Sequence, residues 1–115
     1  MSGLTTHILD LAAGRPAAGV AVRVSARRGG EVVPMAQTLT DADGRARLVE
    51  GADLAAGGYR LEFEVADYFK GSGAAVSDPP FLDVVVIDFA VADASQHHHV
   101  PLLVSPFGYS TYRGS

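Results

Sequence analysis

The chain has 115 residues, 48% apolar and 19% charged, with a formal charge of −4 at pH 7 and no cysteine. That length suits one domain, and the acidic balance argues against nucleic acid or an anionic membrane surface as partner, since both demand clustered Lys and Arg. Without cysteine there is no disulfide frame, thiolate metal site or thiol nucleophile.

A mean hydropathy of +0.18 is high for a small monomer, whose surface share is large. The surplus is expected to lie in a subunit interface. The opening residues lack the basic and apolar regions of a signal peptide, and no apolar run is long enough to span a bilayer, so a cytoplasmic protein is expected.

In chain order, residues 4–10 read as a short strand with Leu4, Thr6 and Ile8 on one face and Thr5, His7 and Leu9 on the other. Ala13-Gly14-Arg15-Pro16 breaks it. Val20, Val22, Val24 and Ala26 then alternate with Ala21, Arg23, Ser25 and Arg27 as a two-faced strand. Arg28-Gly29-Gly30-Glu31 reads as a hairpin turn into a third strand over residues 32–40. Thr40-Asp41-Ala42-Asp43-Gly44-Arg45 is a turn before a strand at 45–49, which puts Arg45 and Arg47 on one face. Its Asp and Gly spacing resembles the start of a calcium loop but lacks the later acidic ligands, so the turn reading is preferred.

A helix is expected only at residues 53–56, between glycines. Tyr59, Leu61, Phe63 and Val65 alternate as another strand, and residues 70–80, rich in Gly, Ala and Pro, are expected to form a loop with no part in the core. Residues 82–91 are apolar on both faces, which predicts a strand central in a covered sheet or buried by a partner chain. Residues 97–104 follow, with His97, His99, Pro101 and Leu103 facing one way and His98, Val100, Leu102 and Val104 the other. Ser105-Pro106-Phe107-Gly108 bends into a last strand. Eight short strands at even spacing with one scrap of helix predict an antiparallel β-sandwich.

Three of the four histidines are consecutive. His97 and His99 share a face, which would allow metal chelation with His7 as a third ligand, although two ligands at strand spacing do not make a site. The other reading is acid–base work by imidazoles, whose ordinary pKa near neutrality lets one ring take and return a proton. His7 and His99 lie on faces the main core pattern does not need. His98, facing the other way, is expected to pack or hydrogen-bond only. Arg45, directly after the turn, is placed for a pocket rim, whereas Arg47 reads as solvated. No nucleophile-elbow or phosphate-loop glycine motif is present.

Chain ends are usually bland, yet this one reads Ser105-Pro106-Phe107-Gly108-Tyr109-Ser110-Thr111-Tyr112-Arg113-Gly114-Ser115, with three rings and an arginine. That end looks docked. Together with Leu4-Thr5-Thr6-His7-Ile8-Leu9-Asp10, the Thr40-to-Arg45 turn and the His97-to-Ser115 block, it resembles the 5-hydroxyisourate hydrolases, transthyretin-like enzymes of urate breakdown. The resemblance departs at His98, where the family usually has tyrosine.

The resemblance implies one transthyretin-like hydrolase domain over residues 1–115, assembled as a homotetramer, a dimer of dimers, with sites in the channel between dimers. It implies hydrolysis of 5-hydroxyisourate to 2-oxo-4-hydroxy-4-carboxy-5-ureidoimidazoline, with no cofactor and no metal. The implied catalytic residues are His7, Arg45, His99 and Ser115; the implied substrate-binding residues are His7, Arg45, Tyr112, Arg113 and Gly114. The competing reading is a non-catalytic carrier of a small ligand on the same fold, since fold alone does not set function.

Overall fold

The computed structural model describes residues 2–115. Its strands are β1 (Gly3–Asp10), β2 (Arg15–Pro16), β3 (Ala21–Arg28), β4 (Glu31–Leu39), β5 (Arg45–Glu50), β6 (Gly57–Phe63), β7 (Val85–Val91), β8 (His97–Ser105) and β9 (Gly108–Thr111), with one α-helix, α1 (Val65–Ser72). One sheet runs β2-β1-β8-β9 with β5 also paired to β1, and the other runs β4-β3-β6-β7. The two sheets form the expected sandwich. Its pairings are antiparallel except one: β1 and β8 run parallel, from Gly3 beside His97 to Asp10 beside Val104.

Period-two alternation explains which faces are buried. Leu4 and Ile8 of β1 and Val100, Leu102 and Val104 of β8 point into the sandwich, against Val22 and Val24 of β3 and Leu61 and Phe63 of β6. Polar groups carried inward find partners, as burial requires. Thr6 Oγ1 donates to the Val100 carbonyl at 2.6 Å, and Thr40 Oγ1 donates to the Ala17 carbonyl while accepting from Val20 N–H. His98 is buried, and its Nδ1 lies 2.9 Å from the Gln96 carbonyl oxygen.

Four expectations are corrected. The helix lies at Val65–Ser72, where Val65, Ala66 and Phe69 bury one face and Gly73, in the left-handed conformation, ends it. Residues 51–53 form only a single 3₁₀ turn. Residues 70–72 thus belong to an element that packs on the core. The doubly apolar strand begins at Val85 instead of residue 82 and is an edge strand, paired with β6 alone, which removes the central-strand alternative and leaves the partner-covered one. Finally, β2 adds a two-residue strand where the sequence shows a break. Among the described residues no helix is long and apolar enough to cross a membrane.

Candidate active site

The same alternation that buries Leu4, Thr6 and Ile8 turns Thr5 and His7 to the outer face of their sheet. The neighbouring strands bring specific residues beside them. Thr5 pairs with His99 on β8 and Arg47 on β5, and His7 pairs with Pro101 and Arg45. Paired residues share a face. Two histidines and two arginines from three strands therefore meet on one surface, though His7 and His99 are 92 positions apart in sequence.

Arg45 is delivered there by its turn. Asp41 Oδ1 accepts from the backbone N–H groups of Asp43 at 2.9 Å and Arg45 at 3.0 Å, and Gly44 N–H donates to the Asp41 carbonyl. The aspartate is occupied in shaping the chain, as an Asx turn predicts. Gly44 has φ +74°, its carbonyl accepts from Ile8 N–H, and a Cβ there would stand 2.6 Å from the Ile8 carbonyl oxygen. Only glycine lets the turn lie this close against β1.

On the other side, the chain after β9 folds back over β8. Gly114 N–H donates to the His99 carbonyl at 2.7 Å, and an Arg113 Nη2 donates to Gln96 Oε1 at 3.1 Å. A Cβ at Gly114 would sit 2.6 Å from His99 Cδ2 and 3.3 Å from Pro101 Cγ. The absence of a side chain is what lets this segment lie on the imidazole.

These elements form an open cavity of about 620 Å³, whose lining includes Thr5, Asp41, Arg45, Arg47, His97, His99 and Ser115. That volume suits a small molecule. His7 stands beside it through its pairing with Arg45. Tyr112 and Arg113 lie elsewhere, on a smaller cavity of about 240 Å³ that includes His98 and β7 residues. The structure thus brings His7, Arg45, His99, Gly114 and Ser115 together and sets Tyr112 and Arg113 apart from them.

Burial pushes the His99 imidazole below its ordinary pKa, and the nearby His7, His97 and Arg45 add to the shift by disfavouring another positive charge. At neutral pH the ring is therefore uncharged and able to accept a proton. Thr5 Oγ1 lies 2.8 Å from His99 Nδ1 and 2.9 Å from His97 Nε2. Thr5 is the site residue that sequence reasoning misses, although it shares a face with His7, while Arg47 lines the cavity and is solvated as expected, its side chain 63% exposed and its Nη1 3.7 Å from Glu50 Oε1. Among the described residues, no group of three or more His, Asp or Glu side chains is arranged to hold a metal ion.

The sequence profile described as the HIUase/Transthyretin family matches residues 4–114. The chain is 73% identical over 115 residues to a 5-hydroxyisourate hydrolase of Caulobacter vibrioides, covering 100% of both chains. Among solved structures it is similar to the 5-hydroxyisourate hydrolase of Klebsiella pneumoniae, with a TM-score of 0.82, 40% identity and 100% of both chains covered. It is also similar to (S)-allantoin synthase, with a TM-score of 0.92 and 35% identity; there, 99% of this chain corresponds to 44% of the longer one. With the profile spanning residues 4–114 and a relative 73% identical over its full length, the chain belongs to the HIUase/Transthyretin family.

Proposed function

We propose that the protein hydrolyses 5-hydroxyisourate to 2-oxo-4-hydroxy-4-carboxy-5-ureidoimidazoline, a step of urate degradation, by general acid–base catalysis. The observation that carries this reading is a neutral, half-buried imidazole, His99, beside a cationic Arg45 in a cavity of small-molecule size. Full-length likeness to named hydrolases supports the substrate.

In this mechanism His99, with His7 orienting the attacking water, takes a proton as the water oxygen bonds to the ring acyl carbon. Charge then develops on the acyl oxygen. Arg45, a guanidinium with several N–H donors, offsets it and holds the polarised oxygens of the substrate. When the carbon–nitrogen bond breaks, the same ring returns its proton to the departing nitrogen. Ser115 closes the cavity and offers a hydroxyl to the substrate or to the proton's path. Gly114 lets the chain approach His99, Arg113 fixes the folded-back segment through Gln96 Oε1 and the His97 carbonyl, and Tyr112 and Arg113 reach substrate where the pocket extends into the channel between dimers. No cofactor or metal enters any step.

We assign the active unit to residues 1–115 as one transthyretin-like domain, working as a homotetramer, a dimer of dimers, in the cytoplasm. Exposed apolar side chains support the assembly: Leu39 is 62% exposed, Phe107 58% and Val86 43%. A monomer has no use for so many. Urate oxidised in situ by uricase gives a transient near-ultraviolet absorbance, and added protein should speed its decay well beyond the spontaneous rate. A carrier would bind the compound and leave that rate unchanged, which would refute the hydrolase reading.

A further inference from the structure

We propose that Thr5 is a positioning residue whose hydroxyl joins His99 to His97 in a hydrogen-bonded chain, fixing the tautomer of His99 and conducting its proton to the exposed ring of His97. The proposal rests on the reading of His99 as the base.

Thr5 Oγ1 is within hydrogen-bond distance of both rings, 2.8 Å from His99 Nδ1 and 2.9 Å from His97 Nε2. A hydroxyl has one proton. It can donate to one of these nitrogens and must accept from the other, so the two imidazoles cannot be protonated independently at those atoms. The adjacent Thr6 cannot serve, because its hydroxyl points inward and donates to the Val100 carbonyl. No carboxylate hydrogen-bonds either ring among the described residues, so Thr5 holds the place that an aspartate often takes behind a catalytic histidine.

The direction follows from the chemistry. For Nε2 of His99 to take a proton, its Nδ1 must carry one. Nδ1–H therefore donates to Thr5 Oγ1, and the Thr5 hydroxyl donates to His97 Nε2. When Nε2 of His99 gains a proton from water, the Nδ1 proton passes to Thr5 Oγ1 and the Thr5 proton passes to His97 Nε2. His99 is left neutral and His97 carries the charge. When His99 gives its Nε2 proton to the departing nitrogen, the same two hops run backwards, and no proton is gained or lost over the cycle.

The charges around the site favour this arrangement. His99 is half-buried, with His7 from β1 and Arg45 from β5 disfavouring a further positive charge, while Arg47 on the cavity wall is paired with Glu50 at 3.7 Å and Asp41 is already bonded to backbone. A cation is costly at His99. At His97, which is exposed, water solvates it, with the Arg113 guanidinium 3.4 Å from the backbone carbonyl oxygen of the same residue.

Nitrogen-15 spectra of the histidine rings in the substrate-free protein, above the pH at which the rings protonate, test the link without reference to any reaction. We expect Nδ1–H and bare Nε2 on both His97 and His99. A bare Nδ1 on His99 would overturn the proposal. Thr5→Val should shift His99 towards the Nε2–H form and lower kcat about tenfold with little change in KM, and Thr5→Ser should restore both. Wild-type turnover in Thr5→Val, or an equal loss in Thr5→Ser, would also overturn it. If the unsubstituted protein shows the expected tautomers but no hydrolysis, the functional reading fails while the hydrogen-bonded link stands. If it is active without them, the link alone fails.

Discussion

The base proposed at His99 has to be uncharged near neutrality, and its surroundings favour this by burial and by the nearby His7, His97 and Arg45. Two consequences are measurable. The acid limb of kcat/KM should lie below about pH 6.5, the ordinary histidine value. Stability should respond too. Between the ordinary value and the lower folded one, the unfolded chain binds a proton that the folded chain refuses, so stability falls as pH drops through about 6.5 and levels off below the folded value. Urea unfolding at a series of pH values should show this slope, and His99→Asn should flatten it. The same replacement should lower turnover by about 10²- to 10⁴-fold and leave the mass of the assembly unchanged. Gly114→Ala tests the opposite side of the ring. Its Cβ would meet His99 Cδ2 at 2.6 Å, so either the imidazole or the segment must shift. Turnover should fall about tenfold or more with little loss of thermal stability, because the segment lies on the surface.

At the scale of elements, the turn before β5 joins fold to site. Gly44→Ala would put a side chain on a left-handed backbone and against the Ile8 carbonyl. We expect about 2–3 kcal/mol of destabilisation by urea titration, and reduced turnover because Arg45 moves with the turn. This element was readable in advance, since Asp and Gly at fixed offsets state a turn mechanically. So were the two-faced strands, whose alternation assigns Thr5, His7 and His99 to the outside. Helix α1 was not. Val65 continues the period of Tyr59, Leu61 and Phe63, so the first buried residue of the helix is also a plausible last residue of the strand. Glu64 makes no side-chain cap that would mark the start. Two turns of helix also leave too few residues for the longer period to declare itself. Phe69, fully buried, shows that the segment is core nonetheless, and Phe69→Ala should cost about 3–5 kcal/mol in the same titration.

For the molecule as a whole, composition predicts apolar surface set aside for a subunit interface, but not where on the chain it lies. Residues 82–91 explain the ambiguity: a run apolar on both faces reads alike for a central strand and for an edge that a partner would cover. β7 is the edge strand, with Val86 on its outward side. Val86→Lys should lower the mass measured by light scattering while leaving the far-ultraviolet spectrum unchanged; an unaltered mass would remove this face from the assembly. Nor could periodicity reveal the parallel pairing of β1 with β8, because strand direction leaves no trace in alternation. That pairing governs more than geometry. The groups that would do the chemistry come from β1 and β8, with His7 and His99 92 positions apart, so a chain in which β8 has not yet paired with β1 holds half a reaction centre. Long-range closure of this kind is slow. In a refolding experiment, catalysis should accordingly return with the last kinetic phase and never ahead of it.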